Sequence, residues 1–314
     1  MPHPRKLLSI TLSAIAVICL LAALCLFIKG KLDDRQTEEL LSDYRVTQDS
    51  SDKTAISSDA ASTEPGIDET AESDTDATKS AYSESSTTEV PDTSAEASSK
   101  AATGALTEET PTLVTNPYAE SFLANKDMAA WLVIPDTEID YPVMWTPEDE
   151  TYYLYRDFEG KENKNGCLLL DTDSSVDPLT TNLIIHGHNM KSGAMFGTLT
   201  DYENQNYYEN HKQIILYTEE CRRNYEVIAV FRSQVFKKTD QVFKFYQFFQ
   251  ADTEEEFNDF YENIKALSLY DTGVTAEFGD NFITLSTCVY HVEQGRFVVV
   301  AKEVESGDSY LPIQ

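Results

Sequence analysis

The chain opens on one long apolar run, residues 7–28, and ends in a region where apolar positions come as short bursts separated by turn residues. Between the two lies a stretch with almost no apolar clustering. The first run is about the length of a helix that crosses a bilayer, roughly 20 residues, and it follows Arg5 and Lys6 directly. It closes on Leu26, Phe27, Ile28 and Lys29, without the small residues that precede a signal-peptidase cut. A lipoprotein would need a small residue before Cys25, and Leu24 stands there, so an uncleaved anchor is expected. Lys29, Lys31 and Arg35 balance the basic residues before the run, so the positive-inside rule alone does not choose its orientation.

The bursts of the last region predict strands at 131–134, 139–144, 167–170, 183–185, 214–217, 225–235, 282–285 and 297–301. Many short strands with turn residues between them point to a barrel or sandwich. Helices are expected at 117–124, 148–155 and 253–267. The last begins with Thr253 and Glu256 at capping-box spacing and sets Phe257, Phe260, Tyr261 and Ile264 on one face. The fold class is therefore mainly β, of α+β type. Three segments follow: an N-terminal membrane anchor over 1–32, a spacer over 33–115, and a folded domain over 116–314. The spacer is acidic and rich in Ser and Thr, with too few apolar residues to offset the entropy of ordering. Its repelling charges favour extension, which would hold the folded domain away from the membrane. Leu40, Leu41 and Tyr44 fall at helical spacing, so the anchor helix is expected to continue a few turns into it.

Charge narrows the partners. The formal net charge of −30 over 314 residues disfavours nucleic acid and other polyanions. Of the five cysteines, Cys19 and Cys25 lie in the apolar run, leaving Cys167, Cys221 and Cys288, which is no disulfide framework.

Three polar residues end or follow strongly apolar strands: His188 after LIIHG, Cys288 at the end of FITLSTC, and Arg296 before FVVVA. Buried strands deliver such residues rigidly to the rim of a barrel. Each has a plainer reading when taken alone. A free cysteine is usually a small buried hydrophobe, the histidine fits a hydrogen-bonded turn, and the arginine fits a strand-edge charge. His186 and His188, with His211 and His291, raise the question of a metal site, but no HExxH or CxxC pattern accompanies them. No metal and no other cofactor is expected. A papain-like protease would place its cysteine before its histidine, and here the order is reversed.

Taken together, in order and spacing, these segments resemble the sortase family, and specifically its class B branch, over residues 131–302. The resemblance is carried by IIHGHNM around His188, TLSTC ending at Cys288, GRFVVVAK around Arg296, IPDTEIDYPV and TYYLYRDFEG upstream, and the long helix followed by SLYDTGV. It departs at His186, where the family commonly has tyrosine, and at Cys167, where a small residue without a thiol is usual. The resemblance implies an eight-stranded barrel with an N-terminal helix and a long helix before the strand leading to Cys288. It also implies a cysteine transpeptidase anchored by its N-terminal helix, with its N-terminus cytoplasmic and its catalytic domain outside the cell. Cys288 would be the nucleophile, His188 the proton-transfer partner and Arg296 the oxyanion stabiliser, with Ser286 contacting substrate. The implied partners are secreted proteins that carry a C-terminal sorting motif, NPxTN-like or LPxTG-like, and a cell-wall peptide amine or peptidoglycan precursor as acceptor. Within the same chemistry, a pilin-polymerising enzyme would use a lysine acceptor instead. A non-catalytic surface protein that binds through the same barrel would have no need of all three residues.

Overall fold

The computed structural model describes residues 4–45, 113–290 and 292–313. Residues 46–112 of the expected spacer therefore lie outside the described residues. The helices are α1 (Pro4–Ser42), α2 (Ala119–Ala124), α3 (Gln205–Asn210) and α4 (Glu254–Leu267). The strands are β1 (Met128–Val133), β2 (Asp140–Met144), β3 (Leu168–Leu170), β4 (Asn182–Gly187), β5 (Gln213–Tyr217), β6 (Cys221–Gln234), β7 (Phe282–Cys288) and β8 (Gly295–Ser309). They close into a barrel in the order β1-β2-β3-β4-β7-β8-β6-β5. Two neighbouring pairs, β2/β3 and β4/β7, are parallel, and the others are antiparallel.

The apolar runs of β7 and β8 are continuous because both of their faces are covered. Ile283, Leu285, Phe297, Val299 and Ala301 point into the barrel core. Phe282, Val298 and Val300 alternate with them and pack outside the barrel against Phe257, Phe260 and Ile264 of α4. On β6 the alternation breaks at a bulge between Val227 and Ala229. Val227 and Val230 therefore both face the core while Ile228, Ala229 and Phe231 sit under α4, because one extra residue reverses which face the following side chains meet. Helix α4 opens with the expected capping box: Glu256 N–H donates to Thr253 Oγ1 (3.3 Å), and Thr253 N–H to Glu256 Oε2 (3.1 Å).

Two local expectations differ from the structure. Residues 148–155 form successive tight turns rather than a helix, with Tyr152 N–H bonded to Asp149 O (3.0 Å) and Leu154 N–H to Thr151 O (3.0 Å). The Asp149 carboxylate takes the N–H and hydroxyl of Thr151 (3.2 and 2.9 Å) and so competes with helical bonding. The carbonyls of this segment also serve partners elsewhere, such as the Cys167 N–H on Tyr153 O (3.1 Å). Helix α3 was not expected, since its polar sequence QNYYEN offers no apolar face; it is capped by Asn204, whose side chain accepts from Asn206 N–H.

Helix α1 changes character along its length. Ile18, Leu20, Leu21, Leu24, Leu26 and Phe27 are exposed, and this part is long and apolar enough to cross a membrane. Past Lys29 the helix continues as the Leu40, Leu41 and Tyr44 spacing predicts, and it docks on the barrel. Asp33, Thr37 and Leu41, spaced one helical turn apart, are all buried. The Tyr44 ring sits 5.0 Å from that of Phe158, and Arg45 Nε donates to Asp140 O (3.1 Å).

The capping box yields a stability prediction. Thr253→Ala removes a side-chain acceptor at the first turn of α4 and should cost about 1 kcal/mol, lowering the melting temperature by roughly 2–4 °C. Thr253→Ser should melt close to the wild type. Identical melting of the Ala variant would show that the box contributes nothing.

Candidate active site

Strands β4 and β7 run side by side in parallel, in a register that pairs His186 with Ser286 and Gly187 with Thr287. One residue further along each strand stand His188 and Cys288. On the other side of β7, the antiparallel β8 sets Arg296 directly opposite Cys288, a pairing that puts Cβ atoms about 4.5–5.5 Å apart. The three residues named from the sequence thus come together at one rim of the barrel, on neighbouring strand ends. Cys288 is exposed, whereas Thr287 just before it is buried and donates its hydroxyl to Gly187 O (2.7 Å). That bond ties β4 to β7 at the last step before the site.

Several contacts fix His188. Its Nε2 lies 2.8 Å from the carbonyl oxygen of Leu154. A carbonyl can only accept, so Nε2 carries the proton and Nδ1 is the ring nitrogen left to exchange one. The Tyr155 ring lies over the imidazole, with centroids 5.3 Å apart. The backbone is held as well, since Phe196 N–H donates to His188 O (3.0 Å). The residue before it must be glycine: a Cβ at Gly187 would lie 2.5 Å from Phe196 Cδ2 and 2.6 Å from Leu168 Cδ2. Asn189, the residue after it, donates from Nδ2 to the carbonyl of Cys288 (2.9 Å) and so bridges the two strand ends. Arg296 directs Nη1 at the carbonyls of Gln294 (3.2 Å) and Gly295 (3.1 Å) in its own turn.

Other positions weighed in the sequence fall elsewhere. Ser286 lies on the Cys288 face of β7 but is only 2% exposed, and its hydroxyl is buried without a hydrogen-bond partner. His186 faces Asp171, with Nε2 and Oδ2 3.1 Å apart, and His211 sits with Nδ1 2.8 Å from Tyr207 O. The three histidines thus have separate partners; His291 lies outside the described residues. Cys167 is buried, its Sγ 3.4 Å from Arg156 O, and burial pushes its thiol well above the ordinary cysteine range. It is held as an inert thiol, unlike the exposed Cys288. Two participants were not found from sequence. The Leu154 carbonyl is backbone and leaves no mark in the residue pattern; Asn189 had only its place next to His188 as a signal.

Comparisons with known proteins point to one family. A family model described as "Sortase domain" matches residues 132–304, more than half of the chain. The chain is 34% identical over 184 residues to sortase B of Listeria monocytogenes, covering 57% of this chain and 71% of that one. Sortase B of Staphylococcus aureus is 27% identical over 186 residues, covering 58% and 72%. Among solved structures, a Staphylococcus aureus sortase B–substrate complex superposes with a TM-score of 0.55 at 27% identity, covering 62% of this chain and 87% of that one. Clostridium perfringens sortase B gives 0.53 at 26% identity, covering 59% and 98%. The family match, the sortase B relatives and the eight-stranded barrel converge: this chain belongs to the sortase family of cysteine transpeptidases.

Proposed function

We propose that Cys288, His188 and Arg296 are the catalytic set of a transpeptidase that cleaves a C-terminal sorting motif, NPxTN-like or LPxTG-like, after its threonine. The acyl group then passes to a cell-wall peptide amine. The observation that carries this reading is the register of β4, β7 and β8, which aligns the three residues at one exposed rim.

The chemistry follows from the groups. The Cys288 thiolate attacks the threonine carbonyl, and the carbonyl oxygen takes the charge of the tetrahedral intermediate. Arg296, opposite Cys288, turns from its loop carbonyls to donate to that oxygen, and its planar fork suits two parallel bonds. The C–N bond breaks as His188 Nδ1 protonates the leaving amine, while the Leu154 carbonyl keeps Nε2–H in place. A thioacyl-enzyme is left. The acceptor amine attacks it, His188 takes back a proton, the C–S bond breaks and the new amide departs. Ser286 contributes its partnerless hydroxyl to the bound motif, a bond that would relieve the cost of leaving it buried and unpaired. The apolar part of α1 supports a single-pass anchor, and membership of the sortase family supports an N-terminus in the cytoplasm with the barrel outside the cell.

The test uses the full chain in detergent, with sorting-motif peptides and an amine, and products identified by mass. Cys288→Ala should abolish both cleavage and transfer, and His188→Ala should lower turnover by on the order of a hundredfold or more. Both variants should melt like the wild type, since neither residue belongs to the core. Near-normal turnover of Cys288→Ala would refute the nucleophile assignment.

Arg296 gives a sharper test. If it stabilises the transition state, Arg296→Lys and Arg296→Ala should each lose about a hundredfold or more in turnover, the size seen on removing an oxyanion donor. Alkylation of Cys288 should then proceed at a rate close to normal in both, since the loss lies in acyl transfer. A Lys variant with near wild-type turnover would reduce Arg296 to a source of positive charge.

A further inference from the structure

Both backbone segments that hold His188 are themselves held by the stretch of α1 that follows its apolar part. The first segment supplies the Leu154 carbonyl. That oxygen is backed by Gly166 (φ 60°), where a Cβ would lie only 2.3 Å from it, so the turn at 163–167 presses directly on the group that orients the imidazole. Asn163 N–H bonds to Tyr155 O (3.0 Å) and Cys167 N–H to Tyr153 O (3.1 Å), locking this turn to the residues on either side of Leu154. The other side of the turn reaches α1. Thr37 Oγ1 accepts from Asn163 Nδ2 (3.0 Å) and Asn165 Nδ2 (3.2 Å), and Asn165 Nδ2 also donates to Asp34 Oδ1 (3.2 Å). Both asparagines are buried, so water does not replace these acceptors.

The second segment is the loop after His188. It closes on itself through the Asn189–Met195 bridge and the Phe196 N–H to His188 O bond, and through Asn189 it touches the Cys288 carbonyl. Ser192 in this loop donates its hydroxyl to the same Asp34 Oδ1 (3.2 Å). Lys164 steadies that carboxylate from 3.6 Å and donates to the Gly30 carbonyl (2.9 Å). One carboxylate and one hydroxyl on α1 thus serve the segment under the imidazole and the segment that carries its backbone.

We propose that Asp34 and Thr37 are positioning residues for His188, so that the helix that anchors the enzyme also sets the geometry of its proton transfer. This rests on the reading of His188 as the proton-transfer group. Misplacing a reacting group by about 1 Å can cost on the order of a hundredfold in rate. Release of either contact should therefore lower turnover and leave peptide binding in place.

The experiment measures kcat and KM for a sorting-motif peptide with the full chain in detergent. Thr37→Val and Asp34→Ala should each lower kcat about tenfold or more with KM within about twofold, whereas Thr37→Ser and Asp34→Asn, which keep an acceptor oxygen, should recover most of it. Ser192→Ala, an exposed change on the barrel side of the same contact, should lower kcat in the same direction without threatening the fold. Arg45→Ala loosens the other end of the docked helix where it meets Asp140, and it should leave kcat unchanged. The proposal is overturned if Thr37→Val and Ser192→Ala retain wild-type kcat while His188→Ala is inactive. It is overturned equally if Arg45→Ala costs as much as they do, because the helix would then act only through general stability. Full activity of His188→Ala would instead sink the assignment of His188, a result separate from either of these.

Discussion

Parallel strands cannot be joined by a hairpin, and β4 and β7 are parallel neighbours in the barrel. The chain between them must leave at one end of the barrel and come back to the other, and it uses α3, β5, β6 and α4 to do so. The constraint has a chemical result. Two parallel neighbours end at the same rim, so residues a hundred positions apart, His188 and Cys288, finish beside each other. Adding the antiparallel β8 brings Arg296 to that rim from the opposite chain direction. The site thus exists because of strand direction and register, and the loops around it only tune what the sheet has placed.

The same outer face is divided between packing and chemistry. Toward the start of β7, Phe282 is covered by α4, as are Val298 and Val300 of β8. Toward the rim the cover stops, and Cys288 is exposed. Ser286 sits at the border, buried but without a hydrogen-bond partner. A hydroxyl left this way costs about 1–3 kcal/mol, and a fold selected for stability alone would remove it with an alanine. Cys167 makes the contrast within one molecule: its thiol is enclosed, its pKa pushed up by burial, and it serves packing.

Much of this was legible from residue patterns, for a physical reason. All eight strands announce themselves because covered strands need apolar runs, and the capping box of α4 is a local side-chain code. What escaped was written in backbone or in polar contacts. The turns at 148–155 resemble a helix by composition, yet their carbonyls are committed to Cys167 and His188 rather than to helical bonding. Strand β8 runs on to Ser309, well past its apolar core, because its pairing with β6 continues through polar residues. On α1 the apolar Leu40, Leu41 and Tyr44 were readable as helix, but Asp34 and Thr37 look like solvent-facing residues until their partners on the barrel are seen.

Those partners bear on how the apolar part of α1 is joined to the barrel. The stretch expected to act as a spacer, 33–115, opens inside α1, where Thr37 and Asp34 already bond to Asn163 and Asn165. Within it, Arg45 also bonds to Asp140, and near its end Val114 pairs with Tyr310 beside β8. In the anchored reading, α1 itself joins the anchor to the barrel. The barrel contact at Gly30 comes two residues after Ile28, the last of the apolar run, and at about 1.5 Å of rise per helical residue that is only about 3 Å further along the axis. A continuous helix with buried polar contacts allows little swing. In the anchored reading, α1 therefore limits how the barrel turns relative to its anchor.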